Sequence, residues 1–382
     1  MLHFTTDEFA RRLEQLKQRM VDEGLDAMLL FSQESMYWLT GYDTFGFCFF
    51  QCLIVGKNGE MALLTRSADL RQARHTSILE NIVIWRDDGA AEPVNDLFRL
   101  LRDLGLAGAR LGVEYDTHGL TARRGRELDA RLDGFAELVD ASAIIPALRI
   151  IKSEAELAHV RKAALLGDDV LDAAMASCRA GAFEGDIYAA MHKANYTGGG
   201  DCPGNEFILG SGHDALLCRN KSGRRTLSEN DQLTIEWAGV YAHYHAAYMQ
   251  TLIVGKPRPR HEELFDAARE ALVSVQAAMV TGNTFGDLYE AHAKVMDAAG
   301  LSSHRLNACG YTLGARFAPS WMDGAMFYEG SPQEVLPNMV LFAHMILFDS
   351  QTDTAMTLGR SFITTSGEAE PLSRHDLDLI IL

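Results

Sequence analysis

Apolar residues recur every three to four positions from residue 5 to 24, after a capping Thr and before Gly24, which predicts a helix. Short apolar runs follow at 27–31 and 51–65. The second is interrupted by Lys57-Asn58-Gly59-Glu60, so a buried strand and then a hairpin are expected. Further strand-like runs at 81–85 and 110–116 alternate with helical periodicity at 94–105 and 121–132. This makes residues 1–150 a mixed α/β domain that ends near the stretch 144–153.

From Ser153 the rhythm changes. A long helix over 153–178 opens with a Ser-x-x-Glu capping box, and a second helix covers 183–197. Strands are expected at 207–212, 231–241 and 245–255, then helices at 261–280 and 284–300, then a β-rich portion holding 338–349 and 360–367. Two helix pairs around a curved antiparallel sheet make residues 151–382 an α+β domain.

Composition narrows this little. A chain of 382 residues is too long for one compact core and fits two domains. Hydrophobic residues at 47% and charged residues at 23% are ordinary for a soluble protein. No apolar run approaches the roughly 18–20 residues that cross a bilayer, and the first helix is charged, unlike a secretory signal. A cytoplasmic protein is expected. The net charge of −17 argues against nucleic acid or an anionic membrane as partner and serves solubility. The six cysteines are expected to be reduced and mostly buried, with Cys48 and Cys52 in Phe-Cys-Phe-Phe-Gln-Cys read as part of a buried strand.

Candidate chemistry gathers in Glu236–Thr251, "EWAGVYAHYHAAYMQT", where Glu236 is a lone carboxylate in the apolar strand "LTIEWAG". Burying it unpaired is costly, which points to a role. Around it, the sequences "LRIIKSEAELAHVRKAA", "FILGSGHDALLCRN", "GYTLGARFAPSW" and "LPNMVLFAHM" together resemble the creatinase/prolidase family (M24), whose pita-bread fold is shared with methionine aminopeptidase. The resemblance spans essentially the whole chain. It implies that the metal-ligand positions of the family's peptidases (two Asp, one His, two Glu) fall on Glu236, Ala247, Tyr311, His344 and Gly359, and that the substrate-contacting His falls on Arg219. One carboxylate of four is left, too few for two divalent cations, so no metal cofactor is expected.

Strand alternation back from Ala247 puts His245 and His243 on the face that would hold the metal. With Glu236 and His344 they would form a metal-free set suited to general acid–base or carboxylate-nucleophile chemistry, Tyr311 joining as the replacement of the family's His. His243 also fits an exposed turn tip, His344 also fits a core histidine, and three imidazoles could hold a lone zinc. The resemblance further implies that Arg316, Trp321 and Asp323 line the substrate site, although Trp321 also fits simple packing. It implies as well that Tyr42, Phe45, Phe47 and Gln51 belong to an N-terminal domain that leans over the site, often that of a partner subunit in a homodimer. For Tyr42 and Phe47 an ordinary buried strand is the alternative.

The metal-free branch, creatinase and ectoine hydrolase, gives the first expectation: hydrolysis of a C–N bond in a small cyclic amidine, amide or guanidine compound. A Xaa-Pro dipeptidase and a non-catalytic pseudo-peptidase that binds a partner remain the alternatives.

Overall fold

The computed structural model describes residues 2–89, 91–221 and 223–382. The chain forms two compact units, one ending at Arg149 and the other beginning at Ile150. No helix among the described residues is long and apolar enough to cross a membrane.

In the first unit the elements run α1 (Thr6–Asp22), β1 (Ala27–Leu30), α2 (Gln33–Thr40), β2 (Cys52–Gly56), β3 (Met61–Arg66), α3 (Leu70–Thr76), β4 (Ile82–Trp85), α4 (Pro93–Asp103), β5 (Arg110–Val113), α5 (Ala122–Leu132), β6 (Glu137–Asp140) and α6 (Ile144–Arg149). The six strands form one mixed sheet in the order β4-β3-β2-β1-β5-β6, with β1, β2 and β3 antiparallel and the outer pairings parallel. Alternate residues of β1 enter different cores, Ala27 and Leu29 packing with α4 and α5, Met28 and Leu30 with α1, α2 and α6. The predicted capping Thr is Thr5, whose side chain accepts from the Glu8 amide.

Two sequence expectations fail here. The stretch around Cys48 is not a strand: Gly46–Cys48 is a single 3₁₀ turn, Cys48 and Phe49 are exposed, and pairing starts only at Cys52. Nor are the thiols mostly buried. All six are free, but Cys48 and Cys202 are exposed and Cys218 is partly so.

The second unit begins with α7 (Glu154–Ser177) and α8 (Glu184–Thr197), α7 opened by the predicted capping box of Ser153 and Glu156. Strands β7 (Ile208–Ser211), β8 (Asp231–Tyr241) and β9 (Tyr244–Val254) follow, then α9 (Pro259–Ala278) and α10 (Phe285–Ala298). The chain closes with β10 (Ala308–Thr312), β11 (Met326–Tyr328), β12 (Val340–Asp349), β13 (Thr354–Ile363), β14 (Glu370–Pro371) and β15 (Ile380–Ile381). The sheet path is β11-β10-β12-β13-β9-β8-β7, with β14 on β13 and β15 on β9.

One face of this sheet is covered by helices. α9 and α10 bury Leu264, Leu272, Phe285 and Leu288 against Ala343, Met345, Leu347 and Leu358. α7 lies so close to β8 that a Cβ on Gly239 would meet the Ala163 carbonyl at 1.9 Å, and the Trp237 indole donates to the Gly167 carbonyl. The opposite face carries the candidate chemistry.

Candidate active site

Strand pairing sets the site. In one transverse row His344 on β12 stands opposite Gly359 on β13, which stands opposite Met249 on β9, which stands opposite Glu236 on β8. The next row joins Ala238 and Ala247 to Ser361, Phe342 and Tyr311, with the Ser361 hydroxyl accepting from the Ala247 amide. Residues directly opposite in antiparallel pairs share a face. The five positions singled out in the sequence therefore lie on two adjoining rows of one face. Below them the hydroxyls of Thr234, Thr251 and Thr357 contact one another and form a buried polar floor.

The polar centre is a line of three side chains. Trp321, buried, donates its indole N–H to the Tyr311 hydroxyl at 2.8 Å, and Tyr311 in turn donates to Oε1 of Glu236 at 3.4 Å. Burial drives Glu236 up to about 7, against the opposing pull of the Arg219 guanidinium and the Tyr311 bond. Burial, with the neighbouring Glu236, drives Tyr311 far above the ordinary phenol range, so it stays a neutral donor. His344 lies 5.6 Å from the Tyr311 ring between centroids, and burial lowers it to about 4. Its Nδ1 is buried with no partner among the described residues.

Arg219 is exposed on the loop after the 3₁₀ turn Gly212–Leu216. The loop is fastened by Asn220, whose carbonyl accepts from the Leu209 amide and whose Nδ2 donates to the Leu209 carbonyl, both at 2.9 Å. Leu209 adjoins Ile208, the residue facing Glu236 across β7 and β8. Arg219 thus bears on Glu236 electrostatically from a pinned loop.

Of the two hairpin histidines, His243 sits otherwise than strand alternation suggests and His245 lies on the expected face. His243 is not on a strand: Ala242 and His243 form the β8–β9 turn with φ of 50° and 62°. A two-residue hairpin with both central residues at positive φ is a type I′ geometry, normally signalled by Asn-Gly, and neither residue is present here. The His243 amide donates to Asp201, and its ring stacks on Phe317 at 4.2 Å. His245 is on the site face but fully buried, and burial depresses it to about 3. Its Nε2 accepts from the Gly204 amide at 2.9 Å, and its Nδ1 faces the Gly314 carbonyl at 3.4 Å. The imidazole is neutral and both nitrogens are engaged.

Asp323, almost wholly buried, lies 3.8 Å from Arg316 and 3.9 Å from the buried ammonium of Lys152, and Arg316 also donates to the Ser320 carbonyl. These charges brace the segment that carries Trp321. In the first unit, Tyr42 and Gln51 are buried and share polar contacts with Thr65 and Gln33, while Phe45 is 80% exposed and Phe47 is half-buried. The sequence reading missed residues 201–207, which wall the site: Gly204 bonds His245, and Asn205 accepts from the Trp321 amide. The one available signal was the Pro203-Gly204 turn pair.

A dinuclear metal site does not fit these residues. Ala247 has no donor, and a Cβ at Gly359 would meet Phe342 at 2.8 Å and Met249 at 2.9 Å, so the space for a carboxylate is filled. Among the described residues no three His, Cys, Asp or Glu side chains group as metal ligands.

The two-unit architecture and this sheet define a class. Residues 158–358 match metallopeptidase family M24 and residues 12–151 match the creatinase/prolidase N-terminal domain; the chain belongs to this family of hydrolases. It is 27% identical to an uncharacterized hydrolase/peptidase of Sinorhizobium fredii, over 100% of this chain and 99% of the relative. It is 25% identical to the ectoine hydrolase of Halomonas elongata, over 100% of this chain and 98% of that enzyme. A prolidase of Thermococcus sibiricus shares the fold, with a TM-score of 0.88 at 18% identity over 98% of this chain and 99% of that one.

Proposed function

We propose that the protein hydrolyses a C–N bond in a small non-peptide molecule, a cyclic amidine or amide of the ectoine kind or a guanidine compound, without a catalytic metal. The observation that carries this is the exchange on one sheet face. Phe342 and Met249 fill the room of a carboxylate, while Glu236 keeps a hydrogen-bond donor, a nearby cation and a pKa of about 7. A base is most effective when its pKa lies near the working pH. Glu236 takes a proton from water, the oxygen adds to the trigonal carbon, and the proton passes to the departing nitrogen as the C–N bond breaks. Tyr311 steadies the ionised carboxylate, and Arg219 faces an anionic end of the substrate.

Full-length similarity to an ectoine hydrolase supports the substrate class. The prolidase likeness supports fold alone, and the peptidase reading requires ligands that Ala247 and Gly359 do not supply. Turnover of ectoine, creatine and prolyl dipeptides by chelator-treated protein tests the proposal. Cleavage of dipeptides that depends on added manganese would replace it with the peptidase reading. A cytoplasmic location and a homodimer belong to the same reading; exposed Phe45 and Phe49 on the first unit support the homodimer, which sedimentation at micromolar concentration checks.

A further inference from the structure

We infer that His245 is a positioning residue: with Gly204 it forms a clamp that seats Trp321 against Tyr311, and it transfers no proton itself. The inference rests on the role just proposed for Tyr311 and Glu236.

Three segments meet at this imidazole. From residues 201–207 comes the Gly204 amide, which donates to Nε2 at 2.9 Å. A nitrogen that accepts an N–H bond carries no proton, so in the neutral ring the proton is on Nδ1, directed at the Gly314 carbonyl 3.4 Å away. The His245 backbone amide donates to that same carbonyl at 3.3 Å, and the Arg316 amide donates to the His243 carbonyl at 3.0 Å. These bonds tie the start of β9 to the chain that runs on to Trp321.

The other jaw is steric. A Cβ on Gly204 would lie 2.9 Å from the Ser320 carbonyl and from the Trp321 nitrogen, so the two segments touch backbone to backbone. Beside that contact Asn205 accepts from the Trp321 amide at 3.1 Å. The His245 and Trp321 rings lie 6.4 Å apart, close enough for the imidazole to wall the indole. Protonation of Nε2 would set two donors against each other at Gly204, and burial opposes that charge. The ring is therefore fixed in the state that accepts from Gly204 and is unsuited to proton exchange with a substrate.

Hydrogen exchange of the intact protein tests this without any substrate. In His245→Ala, amides at 201–205 and 314–321 should exchange about tenfold faster, the scale of one lost buried bond. In His245→Gln, whose amide oxygen can take the place of Nε2, protection should return to within about threefold of the parent. Where turnover is measurable it should follow the same ranking, through kcat rather than KM, with the pH midpoint unmoved in His245→Gln. Gly204→Ala keeps the imidazole but forces the jaws apart, and should give the same fast exchange at 320–321. Unchanged exchange in His245→Ala overturns the clamp, as does a displaced pH midpoint in His245→Gln. If His245→Ala does not fold, unchanged exchange in Gly204→Ala overturns it instead. Failure of every C–N substrate would count against the proposed reaction and leave the exchange result to decide the clamp.

Discussion

The indole of Trp321 donates to the hydroxyl of Tyr311, and that bond turns the phenol's single proton toward Glu236. Tyr311→Phe removes this proton and strands the indole N–H in a buried site. A hydrogen bond to a charged group is worth enough that turnover should fall about 10- to 100-fold. Since the Tyr311 bond helps hold Glu236 down, its loss should also move the acid limb of kcat/KM to higher pH. A pH profile of the variant reads both effects, and an unmoved limb would separate Tyr311 from Glu236.

The sign for Arg219 is the same. Glu236, at about 7, must be ionised to act as a base, so activity should rise with pH through that value. The guanidinium favours the ionised form, and Arg219→Gln should displace the limb upward. Added salt should do the same in the parent protein, because Arg219 is exposed and its field is screened. A limb that stays put in Arg219→Gln would show that the cation does not act on the base.

Glu236→Gln should lose at least about two orders of magnitude in turnover, the scale of general-base catalysis. It should also be the more stable protein in alkaline solution. The folded pKa of about 7 lies above the ordinary 4.5, so between these values the folded state holds more protons than the unfolded one. Stability contributed by this group therefore falls as pH rises through that window and is flat above it. Glutamine has no such dependence. Thermal midpoints of the two proteins should diverge from pH 5 to pH 8 in favour of Glu236→Gln; parallel curves would mean that the carboxylate is not held in a site that resists its ionisation.

The sequence made Glu236 legible because a carboxylate inside an apolar strand violates the pattern around it, and Tyr311 and His344 followed from motif order. His243 was misplaced because alternation was carried through Ala242 and His243, a tight turn without its usual Asn-Gly signature. His245 was placed on the right face, but its bonds to Gly204 and Gly314 join segments distant in sequence, which no periodicity records. The aromatic stretch before Cys52 read as strand on β propensity alone, whereas Thr44 and Asp69 bond to each other and Gly46 packs against Asp69, fastening it as a turn.

Gly359 provides the sharpest test of the filled site. Its missing Cβ makes room for the Phe342 ring and Met249 in the middle of a sheet row, so even a methyl group there must displace a packed side chain. Gly359→Ala should destabilise the fold by about 1–3 kcal/mol, the cost of overpacking. Shortening the ring in Gly359→Ala/Phe342→Leu should recover part of it, since the two sites share the contact. Denaturant unfolding measures both. If this space is apolar packing rather than the shell of a cation, exhaustive chelation should leave the unfolding midpoint of the parent protein and its turnover unchanged. A midpoint lowered by chelation and restored by manganese, cobalt or zinc would show that a metal binds despite Ala247 and Gly359, and Glu236 would then act as its ligand.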